Sequence, residues 1–110
     1  MSPLRREDYL LRQAKAVAAM LAAIAGRRLS GDVDEARAEL EQAYSLLLGS
    51  QGDLLRQVDP ATAARLLGSS DRILVFAQLL EEEAALETDE SRRKTLHDRA
   101  VELRGQAEHA

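Results

Sequence analysis

Four stretches of the chain repeat one spacing of apolar residues, alternately four and three positions apart. They are Leu10, Ala14, Val17, Leu21 and Ile24, then Ala36, Leu40, Ala43 and Leu47. The third is Ile73, Ala77, Leu80 and Ala84, and the fourth Leu96, Ala100, Leu103 and Ala107. That interval keeps side chains on one face of an α-helix, whereas a half-buried strand alternates every second residue. No stretch alternates in the strand manner over a useful length.

Boundary residues frame the four stripes. Ser2-Pro3 predicts the first helix start, serine as N-cap and proline at the first helical position. Gly26 or the Arg27-Arg28 pair predicts its end. In GDVDEARAELEQA, from Gly31 to Ala43, Asp32 and Glu35 have the spacing of a capping box, and Gly49 supplies a left-handed stop. Two short helical pieces follow, one capped by Asp53 and one opening at Asp59-Pro60 and closing at Gly68. The third long helix starts near Ser70 or Asp71 and breaks at Thr88-Asp89; the fourth runs from about Ser91 toward Glu108. The expected fold is all-α: one domain, residues 1–110, of antiparallel helical hairpins, with four main helices and short connecting helices.

The first helix carries more apolar surface than one stripe needs. Only Lys15 is charged between Ala14 and Ala25, and a helix apolar nearly all round must be covered on several sides. Either other helices of the chain do this, or a second chain does. A two-fold contact would then use Val17, Met20, Leu21 and Ile24, with Tyr9 and Arg12 beside them. Asp8 and Arg12 stand four apart, the spacing of a helical ion pair contributing about 0.2–0.5 kcal/mol. Tyr9 is expected to lay its ring on a neighbour and keep its hydroxyl at the rim.

Composition agrees with helices. Leucine, alanine, glutamate and arginine dominate, while β-branched and aromatic residues are scarce. The net charge of −4 hides an uneven distribution: +4 over residues 1–28, −10 over 29–90 and +2 over 91–110. An acidic middle repels phosphate backbones, so no nucleic-acid partner is expected. The chain has no cysteine, which removes disulfide and thiolate chemistry. Ala23-Ile24-Ala25 before Gly26 imitates a signal cleavage site, but Glu7 and Asp8 precede it and cleavage would remove the most apolar helix. The expectation is a cytoplasmic protein. Ten apolar residues are too few to span a bilayer, so no membrane partner is expected.

Candidate chemistry is sparse. His97 and His109 are the only histidines, and no metal-binding or phosphate-loop motif is present. Glu81, Glu82 and Glu83 point three ways around a helix, because adjacent residues do not share a face; a solvated acidic surface is the expectation. No metal, cofactor or catalytic residue is expected, and the chain is read as a non-enzyme. An enzyme or small-ligand binder would need convergent polar groups around His97 or the Glu81–Glu83 segment.

Gly31, Ala36, Leu40 and Ala43 resemble the second-helix half of a tetratricopeptide repeat, a family in which small alanines let antiparallel helices approach closely. Ile24 stands where that family has a small residue, and Arg27 where it has an aromatic. A fainter echo lies in the last two long helices: Ala100 matches, while Thr88 takes the glycine's place, Arg93 an alanine's and His97 a large packing residue's. Along nearly the whole chain, DYLLRQ, GDVDEA, LLG, DLL and LLEEEAAL resemble landmarks of a small bacterial family of helical proteins catalogued as a domain of unknown function. That resemblance implies a tetratricopeptide-like core and a bacterial cytoplasmic setting, and brings no activity or ligand. The carboxylate clamp of some repeat scaffolds uses lysine and asparagine, whereas this chain has two lysines and no asparagine. Arg5, Arg6, Arg12, Arg27 and Arg28 offer another way to grip an acidic peptide. The expected function is a non-catalytic protein–protein interaction or scaffold module with an unknown protein or peptide partner, or a self-associating homodimer.

Overall fold

The computed structural model describes residues 3–109, with side chains from residue 8 onward. The described residues form α1 (Pro3–Leu29), α2 (Val33–Leu48), α3 (Gly52–Gln57), α4 (Pro60–Leu67), α5 (Ser70–Leu86) and α6 (Glu90–Ala107). One 3₁₀ turn, Gly49–Gln51, lies between α2 and α3, and no strand occurs among these residues. The fold is therefore all-helical. The predicted cap at Ser2 lies outside the described residues.

Helix α1 runs through Gly26 and the arginine pair and ends at Leu29. Its stop comes from the next residues: the Asp32 amide donates to the Arg27 carbonyl at 2.8 Å, and the Gly31 amide to Arg28 at 3.2 Å. Gly31 takes φ +85°, the conformation that this helix-ending arrangement demands and that glycine adopts without strain. Asp32 is the N-cap of α2, yet its side chain makes no capping bond. The expected capping box does not form because Glu35 is drawn to Arg27 instead. Gly49 has positive φ with ψ −143°, so it turns α2 directly into the 3₁₀ segment rather than into a left-handed stop.

Other caps form as expected. The Asp59 carboxylate accepts from the Thr62 amide at 3.1 Å and from its hydroxyl at 2.6 Å, with Pro60 behind it. These two bonds, the hydroxyl's first, hold the Asp59 carboxyl below its ordinary range. Ser69 caps α5 and Asp89 caps α6.

Two hairpins result. Gln13 Nε2 donates to the Leu46 carbonyl at one end of the first, and Arg27 pairs with Glu39 at the other, so α1 and α2 run antiparallel. In the second, Arg93 donates to the Glu87 carbonyl near the turn and His97 meets Glu81 farther along. The hairpins share their spacing: Leu29 and Leu86 end the first helices, Val33 and Glu90 begin the second, each 57 positions on.

Helix α5 lies at the centre, packed against α1, α2, α4 and α6, whereas among the described residues the α6 backbone packs against α4 and α5 alone. Its predicted stripe of Ile73, Ala77, Leu80 and Ala84 is buried, and so are Val75, Phe76, Leu79 and Leu86. Phe76 meets Tyr44 edge to face, ring centres 6.2 Å apart, a geometry contributing about 0.5–1.5 kcal/mol beyond burial.

The helix C-termini are held from a distance. A helix leaves its last four carbonyls without intrahelical partners. Arg37 of α2 donates to Leu86 of α5 at 2.6 Å, and Arg99 of α6 to Leu55 of α3 at 2.7 Å. Arg72 of α5 reaches Leu67 of α4 at 2.9 Å and Leu47 of α2 at 2.7 Å, bridging two helix ends with one cation. Burial pulls Arg72 and Arg99 below the ordinary arginine pKa, but an arginine remains charged.

Two outcomes follow for urea denaturation. Phe76→Ala should cost about 3–5 kcal/mol, the range for truncating a fully buried aromatic. Arg72→Met should cost about 1.5–3 kcal/mol through loss of charge-assisted hydrogen bonds, whereas Lys94→Met should leave the transition in place.

Candidate interaction groove

Because α1 and α6 both rest on α5 but not on each other, α5 keeps one strip open between them. Leu74, Gln78, Glu81 and Ala85 recur along it at helical spacing, with Leu74, Gln78 and Ala85 exposed. On the α1 side, a groove of about 430 Å³ is lined by Ala18, Leu21, Ala22, Gln78, Glu82 and Arg104, among others. On the α6 side a larger one, about 710 Å³, has Ala84 and Ala85 beside Glu90, Arg93, Lys94 and His97. Glu81 lines both.

The three glutamates do point three ways, but each finds a partner on another helix. Glu81 accepts from His97 Nδ1 of α6 at 2.8 Å, which makes Nδ1 the protonated nitrogen. Glu82 accepts from Arg28 of α1 at 3.0 Å. Glu83 has two donors: Tyr44 Oη donates to it at 2.6 Å and Arg56 of α3 at 3.1 Å, while the Arg56 guanidinium lies 4.3 Å from the Tyr44 ring centre. The expected solvated acidic surface is replaced by a set of interhelix ties. Burial, reinforced by the Glu83 charge and hydrogen bond, pushes the Tyr44 hydroxyl well above the ordinary tyrosine pKa.

The first-helix residues divide. Val17 and Ile24 are 0% exposed inside the chain's own core, so of the two expected covers, other helices or a second chain, the chain's own α2 and α5 supply it for these residues. Met20 and Leu21 are half-buried against the same core, and Leu21 borders the groove. Tyr9 is 60% exposed, contrary to the expectation of a packed ring. The reason is length: α1 has 27 residues and α2 only 16, and Gln13 already lies beside Leu46 near the end of α2. Tyr9 therefore stands beyond the end of its neighbour. Arg12 reaches the Asp8 carbonyl at 3.4 Å rather than its carboxylate. The side chains of Arg5 and Arg6 lie outside the described set.

Sequence reasoning missed Gln78, Lys94 and Arg104 as groove residues. For Arg104 the signal lay in the 57-residue offset. It relates Ile24, Leu40 and Leu47, buried in the first hairpin, to Glu81, His97 and Arg104 in the second. Arg93 and His97, polar where the repeat pattern has packing residues, mark this open face.

Among the described residues, no group of three or more His, Cys, Asp or Glu converges as a metal set, and no helix is long and apolar enough to cross a membrane. The chain matches no protein-family model, no curated protein and no solved structure.

Alkaline titration tests the Tyr44 environment. Its folded-state pKa lies above the unfolded value, so its contribution is present below about pH 10 and is lost as pH rises through the folded pKa. The urea midpoint should fall as pH climbs above about 10, and Tyr44→Phe should make that fall shallower.

Proposed function

We propose that this chain is a non-catalytic protein-interaction module built from two tetratricopeptide-like helical hairpins. The observation that carries the proposal is the unequal treatment of two equivalent faces. On the first hairpin the face containing Val17, Ile24 and Leu40 seats helix α5. On the second, the face related by the 57-residue offset carries no helix among the described residues and is polar at its centre.

Local detail supports the likeness to the repeat family. Ala36 and Ala43 are buried with 0% exposure, Leu40 is buried on the same face, and Gly31 takes positive φ at the turn before them. Small residues at such positions let helix backbones approach. The resemblance to a small bacterial helical family supports a bacterial cytoplasmic setting. An open, helix-lined strip with small residues on its floor and charged groups on its rim suits a protein surface better than it suits a small molecule, which binds best in an enclosed cavity.

Selection of helical peptides from a displayed library against the immobilised protein tests this reading. Selected ligands should lose at least about tenfold in affinity, roughly 1.4 kcal/mol, on Ala85→Arg, which fills the groove. Ala38→Arg, on the exposed face of α2, should leave binding unchanged. A failure to select ligands, or ligands insensitive to Ala85→Arg, would overturn the groove as the binding surface.

A further inference from the structure

We infer that the occupant of the α5–α6 face is a second copy of this chain, related by a two-fold axis so that α5 of one protomer lies against α6 of the other. The inference rests on the interaction-module reading and adds the identity of the partner. Its warrant is the layout of charge. Of the ionisable groups lining the two grooves, Glu81 and Glu82 lie on α5, whereas Arg93, Lys94 and Arg104, together with the imidazole of His97, lie on α6. Glu90, at the first position of α6, is the exception and brings the count to three carboxylates against three cations.

A partner of strong net charge gains nothing from a strip whose own charges cancel. A strip divided lengthwise into an acidic and a basic half, by contrast, is complementary to its own copy once the halves are exchanged by a two-fold rotation. The chain as a whole is −4, so two copies repel in general and meet at least cost across a neutral face. Lys94 already pairs with Asp98 on the exposed side of its own helix at 2.6 Å, but the two arginines are not matched to carboxylates within the chain. Arg104 has no hydrogen bond or ion pair among the described residues, and Arg93 spends its bonds on the Glu87 carbonyl rather than on a carboxylate. Glu82 has one cationic partner, Arg28, and Glu81 accepts from the His97 imidazole, and a carboxylate has about four acceptor sites.

Apolar surface for the seam is present too. Leu74 is 41% and Val101 51% exposed, and both lie at the offset positions of Val17 and Tyr44, which are buried in the first hairpin. Two adjacent helices of this length offer a face roughly 27 Å by 20 Å. That is at the small end for protein interfaces, so association in the micromolar range is expected.

Sedimentation equilibrium between about 5 and 500 µM tests the inference, with two charge-reversed double variants. Lys94→Glu/Arg104→Glu makes the face mostly acidic, and Glu81→Lys/Glu90→Lys makes it mostly basic. The wild type should show a dimer mass at the upper concentrations, and each variant alone should weaken association at least about tenfold. An equimolar mixture of the two should regain the dimer, which also shows that both are folded. A strictly monomeric wild type, variants that dimerise alone, or a mixture that stays monomeric while both variants are helical by circular dichroism would each overturn the second-copy inference. Peptide ligands sensitive to Ala85→Arg would then leave the module reading standing by itself.

Discussion

One helix must serve four neighbours, and most of the molecule follows from that demand on α5. A helix with a single stripe can be covered from one side only. Helix α5 buries Ile73, Val75, Phe76, Ala77, Leu79 and Leu80 within two turns, so cover must come from several directions. The same helix then carries Glu81, Glu82 and Glu83, whose successive 100° rotations direct one carboxylate to α6, one to α1 and one to α2 and α3. Packing decides that these helices surround α5; the ion pairs fix how far each is rotated against it. The exposed members of such pairs add little stability, whereas the Glu83 tie, shared with a buried tyrosine, is costly to leave half-made.

Arginine answers a second constraint. Four helices end in the interior or at its edge, and their terminal carbonyls need donors there. The guanidinium is suited to this because its donors form a rigid fork that can serve two acceptors at once, as Arg72 does for Leu47 and Leu67. It also brings positive charge to the negative ends of helices. Part of the chain's arginine content is thus structural, which a reading of surface charge alone assigns to solvent.

Period and punctuation made the helices readable: the 4-3-4 stripes, Asp59-Pro60 and Gly68 each mark what the fold contains. Local signals failed where a distant partner competed. Glu35 could not complete a capping box because Arg27, eight residues away, takes its carboxylate. Arg37, Arg72 and Arg99 gave no warning of their roles, since the acceptors in Leu86, Leu47 and Leu55 lie 49, 25 and 44 residues away. Val17 and Ile24 were recognised as needing cover, but the sequence does not say which helix covers them. The open groove was legible only as a mismatch, in Arg93 and His97 occupying places where the first hairpin has Ala36 and Leu40.

The lid over the first hairpin is itself encoded late in the chain. Synthesis proceeds from the amino end, and 38 residues separate Leu48, which completes α2, from Leu86, which completes α5. At about 5–20 residues per second the ribosome leaves Val17, Ile24 and Leu40 facing water for roughly 2–8 s. The nascent hairpin is therefore sticky for a few seconds in every copy's life, and its solubility in that interval depends on the charges of its outward faces.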